Sequence, residues 1–134
     1  MGTEISINKM TSKYVGKPFE TCTCMNLAYN WYQDLGVSVP DSFGGLSLKN
    51  YFEAWKLDKK AVLNEMVKLF ESLGTPVDLN DIQRHDLLAV SEAGNLYAAI
   101  ALGNGMIITS HISVGVRVLK LGKIHQAVLA RRLI

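Results

Sequence analysis

From Cys24 onward, apolar side chains recur at Leu27, Ala28, Trp31 and Leu35, the spacing of one stripe along an α-helix. Gly36 ends that helix as its C′ residue, and Pro40 keeps the chain from resuming it. A glycine-rich turn is expected at Gly44 and Gly45, followed by Ser47 as the N-cap of a short helix running through Trp55. Asp58 is placed to cap a longer helix with an apolar face of Val62, Leu63, Met66, Val67, Phe70 and Leu73, closed by Gly74 and Pro76. Beyond Asp86 the period changes to that of strands, predicted at 87–90, 96–102, 106–110, 114–119 and 127–133. The connections at 92–95 and 103–105 carry hairpin chemistry. Helices first and antiparallel strands second predict an α+β domain, with N-terminal helices on a C-terminal sheet of about five strands.

Composition limits the alternatives. A chain of 134 residues, 49% hydrophobic and with a net charge of only +2, can build one good core and lacks the signature of disorder, so 1–134 is read as a single domain. No apolar run approaches the length of a membrane span. Residues 1–13 are polar, without the apolar stretch of a secretory signal, which predicts synthesis in the cytoplasm without export by the ordinary route. Arg117, Lys120, Lys123, Arg131 and Arg132 make the last third basic. Without interleaved aromatic residues this reads as a solvated face and no nucleic acid is expected as a partner; Arg131 and Arg132, beside Leu133 and Ile134, are the candidate contact with a partner protein. Gly103, Asn104 and Gly105 join two strands and open no helix, so they read as a turn and not as a phosphate loop.

The candidate chemistry centres on Cys24. Its place at a helix N-terminus, facing unpaired backbone N–H groups and the positive end of the macrodipole, favours thiolate and suits a nucleophile. A small buried hydrophobe covering the first turn is the other reading of the same position. Cys22 lies too near Cys24 in sequence for an ordinary strain-free disulfide, and two free thiols are expected. Neither a zinc-site pattern nor a cofactor motif is present; a metal held by Cys22, Cys24 and His111 is the weakest of the alternatives. His85, His111 and His125 are expected to be solvated, at strand ends or in a loop.

Taken along the chain, Tyr14 to Phe19, then Cys24, Leu27, Tyr32, Leu35, Gly36 and Pro40, resemble the opening of the NlpC family of papain-like cell-wall peptidases. His85 to Leu88 fall at that family's Gly-Asp-Leu strand entry, and the run from Tyr97 to Ser110, YAAIALGNGMIITS, is similar to its histidine strand and the hairpin after it. The C-terminal part, with Gly115, Val116, Arg117, Arg131 and Arg132, is similar to members found in the tails of tailed phages. The resemblance implies a papain-like fold with Cys24 at the nucleophile position. It puts Tyr97 where the family has its histidine, Thr109 at the third polar position and Thr23 in place of the usual aspartate. A phenol with a pKa near 10 cannot relieve a thiol of its proton at neutral pH as an imidazole does.

The resemblance therefore implies a peptidase-derived domain that has lost its base, retained as a component of a phage tail tip or baseplate hub. The expected location is the virion, and the expected partners are other tail proteins. The alternative is an active peptidoglycan endopeptidase or amidase in which Cys24 attacks an amide and a displaced His111 supplies the base; peptidoglycan is then the partner. On a strand, His111 shares the face of Thr109 but lies roughly 7 Å further along it, so a slipped register would be needed.

Overall fold

The computed structural model describes residues 7–43, 46–47 and 50–134. Helix α1 spans Ile7–Tyr14 and α2 spans Cys24–Asp34; a minimal hairpin of β1 (Ser42–Phe43) and β2 (Leu46–Ser47) follows, then α3 (Tyr51–Leu57) and α4 (Lys59–Ser72). The remaining strands are β3 (Thr75–Pro76), β4 (Leu87–Glu92), β5 (Asn95–Gly103), β6 (Met106–His111), β7 (Gly115–Lys120) and β8 (Gln126–Arg132). They form one antiparallel six-stranded sheet in the order β3-β8-β4-β5-β6-β7. The α+β expectation holds, with the two-residue β3 added to the five strands read from periodicity. The turn expected at Gly44 and Gly45 lies outside the described residues.

Helix α2 is the hub of the core. Its stripe buries Leu27, Trp31 and Tyr32 almost completely, together with Ala28, against the face of the sheet that carries Leu87, Ala89, Ala98, Ile100 and Ile108. The helix begins with a capping box: the Thr23 hydroxyl accepts the Asn26 N–H, and the Asn26 carbonyl oxygen accepts the Thr23 N–H, both at 3.2 Å. It ends as predicted, with Gly36 at φ 76° and the N–H groups of Gly36 and Val37 returning to the carbonyls of Gln33 and Tyr32.

Two long-range bonds then fix the helix to the mouth of β4. Trp31 Nε1 donates to His85 Nδ1 at 3.1 Å, and Tyr32 Oη donates to the His85 carbonyl at 2.6 Å. His85 is thus a half-buried latch at φ 75°, not the solvated residue its position suggested. Helix α1, unannounced in the sequence reading, adds Met10 and Tyr14 to the same core, and Tyr14 Oη donates to Asp34 at 2.6 Å.

Helix α4 starts as read, with the Asp58 carboxylate accepting the Ala61 N–H, and buries Val62, Met66, Leu69 and Phe70. The short helix before it does not start at Ser47. That residue belongs to β2, and Asn50 is the N-cap position; the Ser47 N–H donates to Asn50 Oδ1 and the Asn50 N–H to Ser47 Oγ, so the two close a turn on each other.

The basic C-terminal pair also differs from expectation. Arg131 donates to the carbonyls of Leu73 and Gly74 just past the end of α4. Arg132 holds the buried Asp86 carboxylate through two bonds of 2.9 Å. Asp86 also accepts the Gln83 N–H, so this carboxylate joins the entry of β4 to β8. These arginines serve the fold itself. Desolvation of a carboxylate requires a partner of this kind, which explains why Arg132, one of the five basic residues of the last third, became internal scaffolding.

Candidate active site

Cys24 sits in the first turn of α2, where it was expected, but it is only 1% exposed. Its sulfur lies 3.5 Å from Tyr51 Oη, and that hydroxyl in turn reaches Met66 Sδ at 4.0 Å. Burial pushes the thiol above its ordinary value; the Tyr51 hydroxyl and the backbone N–H groups of Ala98, Met25 and Cys24 pull the other way without overcoming it. The thiolate expected from the helix N-terminus is therefore not favoured here. The macrodipole effect near one turn is worth about 1 kcal/mol, whereas desolvating an anion without a cationic partner costs several. Cys22 is a second free, buried thiol, also pushed up by burial, and its carbonyl accepts the Ser110 hydroxyl.

The strand ends beside Cys24 carry the other candidates. The β5–β6 register places Ala99 opposite Thr109, and continuing it brings Tyr97 alongside His111. Their rings stack with centroids 5.0 Å apart, and Tyr97 Oη lies 3.3 Å from His111 Nε2. The Tyr97 phenol is pushed up first by burial and then by its electrostatic interaction with Glu92 and Cys24. Thr109 is buried and donates its hydroxyl proton to the Ala98 carbonyl at 2.7 Å, so it cannot also donate to a neighbour.

His111 is not solvated either. Its Nε2 lies 2.9 Å from Glu92 Oε1, while Nδ1 accepts the Ser113 N–H at 3.1 Å. An accepting Nδ1 places the ring proton of the neutral imidazole on Nε2, which then donates to the carboxylate. Both nitrogens are committed. Tyr97 and Glu92 also meet the same nitrogen, so the ring cannot relay a proton from one side to the other as a triad histidine does. His125 completes the cluster, with Nδ1 3.4 Å from the second oxygen of Glu92. Among the described residues no group of histidine, cysteine and carboxylate side chains has the geometry to hold a metal ion.

Glu92 escaped the sequence reading because it flanks a hairpin turn, with Ala93 and Gly94 at positive φ, and looks like ordinary turn chemistry. Tyr51 escaped as well, since nothing local marks one tyrosine of a short helix as the cover of a thiol 27 residues earlier.

Comparison with known proteins resolves the architecture. The crystal structure of an NlpC/P60 family protein from Bacillus cereus matches this chain with a TM-score of 0.60 and 18% identity, over 95% of this chain and 38% of that one. The chain has the NlpC/P60 fold. No family model and no curated protein matches it. The chain thus spans well under half the length of that NlpC/P60 protein, and at this identity the likeness establishes the fold alone. The papain-like α+β arrangement expected from the resemblance is the one observed, with the Cys24 helix against the antiparallel sheet.

Proposed function

We propose that this chain is a catalytically idle domain of NlpC/P60 fold, derived from a cell-wall cysteine peptidase and serving as a structural or assembly component of a phage tail tip or baseplate hub. The observation that carries the idle reading is the state of Cys24: a buried thiol whose side-chain hydrogen-bond partner among the described residues is a phenol. A cysteine nucleophile needs thiolate character, access and an adjacent base. Burial opposes the first two. Tyr97 at the histidine position and the doubly committed His111 argue against the third. Loss of a positioned base typically costs roughly 100 to 10,000-fold in rate.

The tail-tip assignment rests on the resemblance of the C-terminal part, with Gly115, Val116, Arg117, Arg131 and Arg132, to phage-tail members. In that role the domain works bound to other tail proteins. Incubation with muropeptides, followed by detection of new amino groups, tests the idle reading. No turnover is expected from the native protein or from Cys24→Ala. Turnover that disappears in Cys24→Ala would instead establish the peptidoglycan hydrolase, with His111 the first candidate for its base. Mass spectrometry of purified virions tests the location: the protein is expected in particles, and its absence, with complete and infectious tails after gene deletion, would reject the structural role.

A further inference from the structure

The two edges of the sheet differ in kind. One is β3, two residues long and ending in Pro76, which has no N–H to offer a pairing strand. The other is β7, six residues long. Along β7 the N–H of Val116 donates to the Lys17 carbonyl, and the Val116 carbonyl accepts the Gly16 N–H. Val116 therefore turns both of its backbone groups away from β6. In an antiparallel ladder the residues two and four further on do the same, so Val118 and Lys120 present their N–H and C=O groups outward. No described residue pairs with them.

The Gly16–Lys17 segment thus zips the first part of the edge and stops. Its approach is close: a Cβ on Gly115 would lie 2.2 Å from the Lys17 carbonyl oxygen.

Beside the zipped part, an open groove of about 370 Å³ is lined by Val15, Gly16, Val114, Val116, Arg117 and Val118. Three of these are large apolar residues left in solvent: Val15 at 45%, Val114 at 48% and Val118 at 36% exposure. Arg117 lines the groove, and Lys120 lies two residues beyond Val118 on the same strand. Among the described residues neither Arg117 nor Lys120 forms an ion pair, in contrast to Arg132 with Asp86 and Lys13 with Asp34.

We infer that β7 is a docking edge for an extended acidic segment of a partner protein, which pairs with Val118 and Lys120 and meets Arg117 and Lys120 with its carboxylates. Strand addition of this kind takes its affinity from main-chain hydrogen bonds and its specificity from alternate side chains. The basic side chains select the occupant. Two copies of this edge paired together would set like charges against each other, whereas an acidic strand relieves that repulsion. None of the groups that bond Cys24 lies on this edge, so failure of the inference would leave the proposed function standing, and the converse also holds.

The test uses the whole chain and a short synthetic valine-rich peptide with two glutamates three residues apart, so that in an extended chain they fall on opposite faces as Arg117 and Lys120 do, with a peptide carrying lysines at the same two positions as comparison. Amide hydrogen exchange read by NMR should show the Val118 and Lys120 amides slowed by the acidic peptide, with an effect that fades as salt is added, and not by the basic one. Arg117→Glu combined with Lys120→Glu should weaken binding by about tenfold, since each reversed exposed pair accounts for a few-fold change. Both side chains point into solvent, so this variant keeps the fold, which circular dichroism verifies. Equal binding of both peptides, or protection elsewhere, would overturn the inference. So would Val118 and Lys120 amides already slow in the dilute free protein. Protection that grows with protein concentration alone would reassign the edge to a second copy.

Discussion

Replacing Cys24 by alanine separates a packing residue from a nucleophile. A core cysteine contributes stability that alanine lacks, whereas a nucleophile held ready for chemistry is often neutral or costly to stability, and its removal leaves the protein unchanged or more stable. Cys24 is 1% exposed and touches the Tyr51 hydroxyl at 3.5 Å. Taking the sulfur as equivalent to one buried methylene, its transfer is worth about 0.8 kcal/mol. A residual cavity of about 25 Å³ adds roughly 0.6 kcal/mol at the usual cost per volume. The buried Tyr51 hydroxyl, left with only the weak Met66 contact, adds up to about 1 kcal/mol. The sum is a destabilisation of about 2 kcal/mol. Urea unfolding should show it as a midpoint lower by about 1 M at unchanged slope. A midpoint that is unmoved or raised would refute the reading of Cys24 as a core residue and restore the case for a functional thiol.

Three other outcomes follow from the same geometry. Burial raises Cys24 above 9.0 and Tyr51 well above 10.0, so the folded chain keeps protons that the unfolded chain releases. Stability is therefore full below about pH 9 and falls above it, by about 1.4 kcal/mol per pH unit for each buried group; a flat profile of denaturation midpoints up to about pH 11 would contradict this. Gly115→Ala forces a side chain onto φ 76° and against the Lys17 carbonyl, so thermal unfolding should register a loss of about 2 kcal/mol or more; an unchanged melting temperature would mean that the Gly16–Lys17 segment is not held against β7. Tyr97→His alone should yield no measurable muropeptide cleavage, because the thiol stays covered by Tyr51 and Thr109 stays bound to Ala98; turnover from this single change would show that only the base was missing.

Much of the frame was legible because its signals are local. The stripe of Leu27, Ala28 and Trp31, the Asp58 cap and the two hairpins each depend on residues within a few positions of one another, and each lies where periodicity put it. Helix α1 was also legible in principle, since Ile7, Met10 and Tyr14 share one face. The site was less legible. Trp31 meets His85 across 54 positions, Glu92 meets His111 across 19, and Arg132 meets Asp86 across 46. No spacing rule announces such pairs. Each histidine and arginine looked solvated because its partner was distant in the chain. The thiolate expected at Cys24 failed for a related reason: position at a helix N-terminus is a sequence property, whereas the burial that outweighs it comes from α3 and β5.

A common logic links the residues that a cysteine peptidase would need. The Thr23 side chain, before the cysteine, closes a capping box. The thiol fills a space under Tyr51, the phenol at Tyr97 stacks on His111, His111 ties β6 to Glu92 on β4, and the Thr109 hydroxyl binds the β5 backbone. Apart from Thr23, whose capping box is internal to α2, each of these groups holds two elements together. Groups recruited into such bonds become costly to change for structural reasons alone. On the proposed idle reading, that gives a physical reason for a cysteine in the first turn of α2: the surrounding bonds hold the helix–sheet junction, and the sulfur is part of what fills it. Selection on that shape would preserve the outline of a peptidase site while leaving its chemistry unmaintained.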